Sequence, residues 1–198
     1  MKIINLIKDS YQEFEGYQSL VLFCAGCNFS CPECYNLDYV TDINNIVGEA
    51  IPLIKEHLTP MHDAIVILGG EPTIWKDKLR ETLDYIRSRN KKSKVYTNGN
   101  LTDVIFQLND IKLVDSYSID VKCIKNCNKV LGCDITDSEY ITNLEYSIND
   151  IIKTPMVQLE LRTTKWDCIV DQLDDIKKWV NEKYPHIPHI IQEKFNIS

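Results

Sequence analysis

Apolar residues follow two rhythms along this chain: short runs of strand length, and stripes that recur every three or four positions. Residues 19–24 (SLVLFC), 64–68 (AIVIL), 93–97 (SKVYT) and 113–119 (LVDSYSI) predict strands, and 157–163 (VQLELRT) alternates as a strand does. Between these runs the spacing becomes helical. Val47, Ile51, Ile54 and Leu58 mark one face of a helix over 44–58, and Leu79, Leu83 and Ile86 mark the next. A short helix is predicted near 102–109. Ile141, Leu144, Ile148 and Ile151 line another, whose start is set by Thr136-Asp137-Ser138-Glu139, a capping box. Ile169, Leu173, Ile176 and Val180 mark the last, and 188–192 (PHIIQ) supplies a final short strand.

Strand and helix therefore alternate in about six units of roughly 33 residues, the size of a β-α repeat. Such alternation implies a parallel sheet with helices outside it. Six units are too few to close an eight-stranded barrel. The fold class predicted is α/β, a partial (β/α)6 TIM-like open barrel of parallel strands with outer helices, and a flat doubly wound sheet is the alternative. Neither a linker nor a repeated sequence divides residues 1–198, so one domain is expected.

Composition narrows the function classes. With 44% hydrophobic and 26% charged residues the chain is an ordinary globular one. A net charge of −7 argues against a nucleic-acid surface, which needs clustered Lys and Arg. Runs such as Lys91-Lys92-Ser93-Lys94 read as solvated. No apolar run reaches the roughly 20 residues of a membrane span, and the acids early in MKIINLIKDSYQEFEG do not fit a signal peptide. The expectation is a cytoplasmic protein without nucleic-acid or membrane partners. In a reducing compartment its eight cysteines point to metal or redox chemistry.

The unusual residues fall at the carboxyl ends of the predicted strands, where α/β folds collect function. The first strand ends in Cys24-Ala25-Gly26-Cys27-Asn28-Phe29-Ser30-Cys31-Pro32-Glu33-Cys34-Tyr35-Asn36. Later strands end in Gly69-Gly70-Glu71-Pro72-Thr73, Thr97-Asn98-Gly99 and Asp120-Val121-Lys122, with Arg162 and Gln192 near the ends of the last two. Gly26, Gly69, Gly70 and Gly99 are four of only seven glycines, which suggests backbone approaching a ligand. Asp120 and Lys122, two apart, share a face of an extended chain.

The cysteine loop has two readings. Cys24-x2-Cys27 and Cys31-x2-Cys34 could be the knuckles of a four-thiolate zinc site, although the three residues between them are few for a zinc ribbon. Without Cys24, which ends an apolar strand, Cys27-x3-Cys31-x2-Cys34 remains. Three thiolates suit a [4Fe–4S] cluster with one iron open to a further ligand. Cys123-x3-Cys127-x5-Cys133 could ligate a second metal, against the reading of free thiols packed as small hydrophobes, and Cys168 stands at a helix start.

Together these stretches resemble the radical S-adenosylmethionine (SAM) superfamily. The three-cysteine loop with Gly69-Gly70-Glu71-Pro72 about 35 residues later matches its motifs. The resemblance spans residues 16 to 195 and is greatest to activating enzymes of glycyl-radical proteins, especially of the anaerobic ribonucleoside-triphosphate reductase. It rests on Phe23–Phe29, Cys31–Asn36, Thr97–Gly99, Asp120–Lys122, Leu161-Arg162-Thr163-Thr164 and Gln192-Glu193-Lys194-Phe195. In the superfamily the residue before the third cysteine is often aromatic and packs on adenine. Here it is Glu33, and the aromatic Tyr35 follows the cysteine instead. Tyr96 stands where some relatives carry an acid.

The resemblance implies a [4Fe–4S] cluster on Cys27, Cys31 and Cys34, the catalytic and metal-binding residues. It implies SAM bound by Tyr35, Gly69, Gly70, Glu71, Pro72, Asn98, Asp120, Lys122 and Arg162. Gly69, Gly70 and Glu71 would offer backbone groups to the SAM amino group, Asn98 would reach the ribose, and Asp120, Lys122 and Arg162 would handle the methionine end. The implied partners are a glycyl-radical protein, the large subunit of anaerobic ribonucleotide reductase, and a flavodoxin- or ferredoxin-type electron donor. A radical SAM enzyme for a small molecule or peptide, such as a deazaguanine-forming one, is the alternative. A zinc-stapled binding module is the alternative from another class.

Overall fold

The computed structural model describes residues 1–37 and 45–194. It is one eight-stranded sheet in the order β3-β1-β2-β4-β5-β6-β7-β8. Six strands run parallel and correspond to the six predicted units: β2 (Ser19–Cys24), β4 (Ala64–Gly69), β5 (Lys92–Thr97), β6 (Ser116–Asp120), β7 (Gln158–Thr164) and β8 (His189–Gln192). The open parallel sheet is the fold class that the alternation predicts. Two further strands extend it beyond β2: β1 (Lys2–Ser10) pairs antiparallel with β2 and with the two-residue β3 (Gly48–Glu49). Sequence reasoning missed β1 because its apolar residues do not alternate cleanly, and its pairing with β2 shifts register twice.

The helices are α1 (Ala50–His57), α2 (Lys76–Ser88), α3 (Thr102–Asp110), the short α4 (Cys127–Leu131), α5 (Asp137–Lys153) and α6 (Leu173–Lys183). The capping box works as predicted, since the Thr136 hydroxyl accepts the Glu139 amide at 3.1 Å and α5 starts there. Three boundaries differ by more than one residue. The predicted helix over 44–58 begins at Ala50; Val47 is 55% exposed, outside the helix, and residue 44 lies outside the described residues. The predicted strand over 113–119 starts only at Ser116. The apolar stripe from Ile169 divides into a 3-10 turn, Asp167–Gln172, followed by α6.

Alternation along each strand sorts side chains into two environments. Leu20, Leu22, Ile65, Ile67, Val95, Tyr117, Ile119 and Leu161 join the large core with the helices. The opposite face holds Val21, Ala64 and Val66, with Phe23, Leu68 and Tyr96 beside them. Phe14, from the segment after β1, packs into this inner face. Lys94 is also buried there, 5.5 Å from the Phe14 ring and paired with Glu160 at 3.0 Å. Burial lowers the Lys94 pKa, and Glu160 opposes the shift. An unpaired charge in that position would be costly.

Register aligns the strand ends that carry the unusual residues. Cys24 pairs with Gly69, Asp120 with Arg162, and Thr164 with Gln192. None of the helices among the described residues is long and apolar enough to cross a membrane.

Candidate active site

A cavity of about 380 Å³ opens at this carboxyl rim, a size ordinary for a small-molecule site. Cys27, Cys31, Cys34, Tyr35, Gly69, Gly70, Glu71, Asn98, Asp120, Lys122 and Arg162 all line it. Of the residues expected to hold the cluster or SAM, Pro72 alone does not line the cavity; it is buried at the first position of a 3-10 turn. Glu13, Tyr96, Thr164, Trp166 and Gln192 line the cavity as well. Glu13 and Trp166 carry no motif, and only the fold brings them there.

The loop after β2 is held from both sides. The Ser30 amide donates to Leu131 O at 2.9 Å, and Gly132 lies so close that a Cβ there would fall 2.2 Å from Ser30 O. On the other side, a Cβ on Gly70 would fall 1.8 Å from Gly26 O, and one on Gly69 would fall 2.6 Å from Cys24 N. Only glycine lets these two turns touch. The Gly70 amide donates to Cys24 O at 2.9 Å and the Glu71 amide to Gly26 O at 2.8 Å.

The Glu71 side chain faces away from the opening and braces the two neighbouring turns. Its carboxylate accepts the Thr73 amide (3.1 Å), the Thr73 hydroxyl (2.5 Å), the Thr97 hydroxyl (2.7 Å) and the Asn98 amide (2.7 Å). Burial raises its pKa, and those four bonds oppose the shift. Asn98 in turn donates from Nδ2 to Asn28 Oδ1 at 2.7 Å, which ties the turn after β5 to the cysteine loop.

The thiols sit in an environment able to take up a metal cluster. Burial pushes the Cys27 thiol up to about 12, with Glu71 adding and Lys122 opposing. Burial likewise pushes Cys31 up to about 11, against Lys122. Both would therefore be neutral at physiological pH, and a metal would have to displace their protons to bind them. The Phe29 amide already donates to Cys27 Sγ at 3.4 Å. Among the described residues no three Cys, His, Asp or Glu side chains converge on a single ion. A cubane cluster does not ask for that, because each thiolate takes a different iron. Cys24 lies in the helix-side core and does not line the cavity. Cys123 and Cys127 are also buried in that core, whereas Cys168 is exposed.

Fixed charges line the opposite wall. Lys122 Nζ lies 2.8 Å from Asp120 Oδ2 and 5.0 Å from the centre of the Trp166 ring. Burial would lower the Lys122 pKa, but Asp120 and the thiols of Cys31 and Cys27 outweigh it and hold the pKa above its ordinary value. Arg162 donates to Gln192 Oε1 at 2.6 Å and to the Tyr96 hydroxyl at 3.0 Å, and that hydroxyl donates to Glu13. The cavity thus combines three thiols, a glycine turn and two oriented cations, a donor set suited to an iron–sulfur cluster beside a ligand with a carboxylate.

Residues 15–134 match the family model described as a 4Fe-4S single cluster domain. A Methanocaldococcus jannaschii protein that carries the provisional name of glycyl-radical enzyme activating enzyme is 36% identical over 83% of this chain and 69% of its own length. A 7-carboxy-7-deazaguanine synthase of Methanospirillum hungatei is 28% identical over 62% of this chain and 52% of its own. Among solved structures, anSMEcpe with bound AdoMet and a peptide matches at a TM-score of 0.60, with 14% identity, over 87% of this chain and 49% of its own. Streptococcus suis SuiB bound to S-adenosylmethionine matches at 0.63, with 14% identity, over 91% of this chain and 41% of its own. The chain therefore spans about half the length of these structural relatives.

Proposed function

The chain belongs to the radical SAM superfamily through its 4Fe-4S single cluster domain, and on that premise we propose that it generates a glycyl radical on a partner protein. The observation that carries this reading is the gathering of Cys27, Cys31 and Cys34, the Gly69-Gly70 turn, Lys122 and Arg162 around one cavity. In this reading Cys27, Cys31 and Cys34 would hold the [4Fe–4S] cluster, leaving it able to take SAM as a further ligand. Once bound, the cluster and SAM would supply reductive cleavage of the sulfonium and a radical able to take hydrogen from substrate.

The chain's own residues position and insulate. Gly69, Gly70 and Glu71 present backbone groups at the opening, while the Glu71 side chain keeps that turn in register with Asn98. Lys122 and Arg162 are oriented by Asp120 and by Tyr96 and Gln192, so a carboxylate meets cations already in place. Tyr35 supplies an aromatic ring to the cavity and serves the adenine, since position 33 does not line it. No proton transfer by a side chain is required.

The partner proposed is the large subunit of anaerobic ribonucleotide reductase, with a flavodoxin- or ferredoxin-type donor. The provisional name of the 36%-identical relative supports a glycyl-radical partner. A small-molecule substrate is the second reading, favoured by the similarity to the deazaguanine synthase. The test begins with anaerobic iron and sulfide analysis and EPR of the reduced protein. About four irons per chain and a signal that shifts on adding SAM are expected, both lost in Cys27→Ala, Cys31→Ala and Cys34→Ala but kept in Cys24→Ala. Adding the reductase should then give a glycyl-radical signal. Its absence with a competent reductase, while SAM cleavage proceeds, would refute the partner and favour the second reading.

A further inference from the structure

Glu33 lies between two of the loop cysteines, yet it is absent from the cavity lining that includes Cys31, Cys34 and Tyr35. Its carboxylate turns instead to the segments that follow β7 and β8. One oxygen accepts the Cys168 amide at 2.8 Å and the other accepts the Asp167 amide at 3.0 Å. Lys194 donates to it at 2.6 Å and also reaches Asp167 Oδ2 at 2.8 Å. Beside it the Tyr35 hydroxyl donates to Glu193 O at 3.5 Å.

These partners are 134 to 161 residues away in sequence, at the exits of β7 and β8. In the sheet, β2 and β8 are separated by four strands, and β8 is an edge. Backbone pairing therefore never joins the loop that leaves β2 to the last two strands. The Glu33 contacts do, across the gap that an open barrel leaves. The Asp167 side chain is 84% exposed, so its bridge to Lys194 contributes little. The two amides and the half-buried Lys194 ammonium hold the carboxylate.

We propose that Glu33 is a positioning residue: a clamp that holds the Cys31–Cys34 turn to the last β-α unit and so keeps Cys34 and Tyr35 facing the cavity. The carboxylate closes the barrel gap, and Tyr35 is left to face the ligand. This inference rests on the reading that Cys27, Cys31 and Cys34 hold the cluster.

The test uses the anaerobically reconstituted full chain with Glu33→Ala, Glu33→Gln and Lys194→Met. The readouts are iron content, the rate at which an iron chelator strips the cluster, the EPR titration with SAM, and thermal unfolding of the cluster-free protein. Partners of metal ligands typically contribute 10- to 100-fold in metal affinity. Glu33→Ala should take up about four irons but lose them about 10-fold faster and bind SAM about 10-fold more weakly. Glu33→Gln, whose amide oxygen can still accept one backbone amide, should fall between Glu33→Ala and the wild type, and Lys194→Met should change both readouts less than Glu33→Ala does. Wild-type chelation rate and SAM titration in Glu33→Ala would overturn the clamp. So would a change confined to thermal unfolding. If Glu33→Ala fails to fold, the same two readouts in Glu33→Gln decide, and wild-type values there overturn the proposal. A wild-type chain without iron, or a Cys34→Ala chain that keeps its cluster, would overturn the cluster assignment itself and the clamp with it.

Discussion

Glu71→Ala tests whether a buried carboxylate, engaged by the neighbouring turns, organises the cavity. The change removes the acceptor of four hydrogen bonds. The Thr73 and Thr97 hydroxyls can turn to other partners, but the Thr73 and Asn98 amides are fixed by the backbone. A buried donor left unpaired costs about 1–3 kcal/mol, so the two amides together cost roughly 2–6 kcal/mol. Removing a buried carboxylate also returns part of its desolvation cost, which places the net loss in the lower half of that range. Glu71→Gln keeps the volume. With its oxygen toward the two threonines it preserves three bonds and turns its NH2 toward the Asn98 amide, for a loss of about 1–3 kcal/mol. Urea denaturation of the cluster-free protein under reducing anaerobic conditions measures both variants. SAM affinity should fall as well, because Asn98 links this brace to Asn28 in the cysteine loop. Glu71→Ala within 0.5 kcal/mol of wild type, or Gln worse than Ala, would refute the reasoning, since unpaired amides would then carry no cost.

Three further outcomes follow from the same structure. Gly70→Ala puts a Cβ 1.8 Å from Gly26 O, a backbone atom that cannot swing aside, so it should cost several kcal/mol and abolish cluster retention. Gly16→Ala, with positive φ but nothing within 4 Å, should cost only about 1–2 kcal/mol and leave the cluster intact, as read by iron content and urea midpoint. The Asp137 carboxylate accepts the Cys127 amide at 2.7 Å and the Asn126 amide at 3.0 Å, and these bonds hold its pKa below the ordinary value. A depressed pKa stabilises fully above the unfolded value of about 3.9 and loses that contribution as pH falls through the folded one. Asp137→Asn should therefore be less stable than wild type at neutral pH, with a gap that narrows on acidification. A gap independent of pH in urea titrations of the cluster-free protein would refute the assignment.

Much of the rim was legible because its signals are local. Cysteine spacing, paired glycines and Asn98-Gly99 announce themselves within a few residues, and each lies at a strand end that periodicity had located. The capping box at Thr136 was legible for the same reason. Roles were harder to read than positions. Glu71 was expected to serve SAM through its backbone; that its side chain braces Thr73, Thr97 and Asn98 was not legible. Phe195, part of the terminal stretch in the resemblance, lies outside the described residues.

By itself the sequence determined the alternation of six strands with their helices, the helix start at Thr136 and the spacing of cysteines in the loop after the first predicted strand, all of which depend on residues near one another in the chain. Only the tertiary structure decided which cysteines share a cavity and which, like Cys24 and Cys123, are packed into the core. It also decided that β1 extends the sheet, that Lys94 and Glu160 pair on its inner face, and that Glu33 meets Lys194 across 161 residues. The physical reason is that strand alternation states that a side chain faces one side or the other, but not what stands opposite. That is set by sheet order, register and the gap of an open barrel, which exist only once distant segments have packed together.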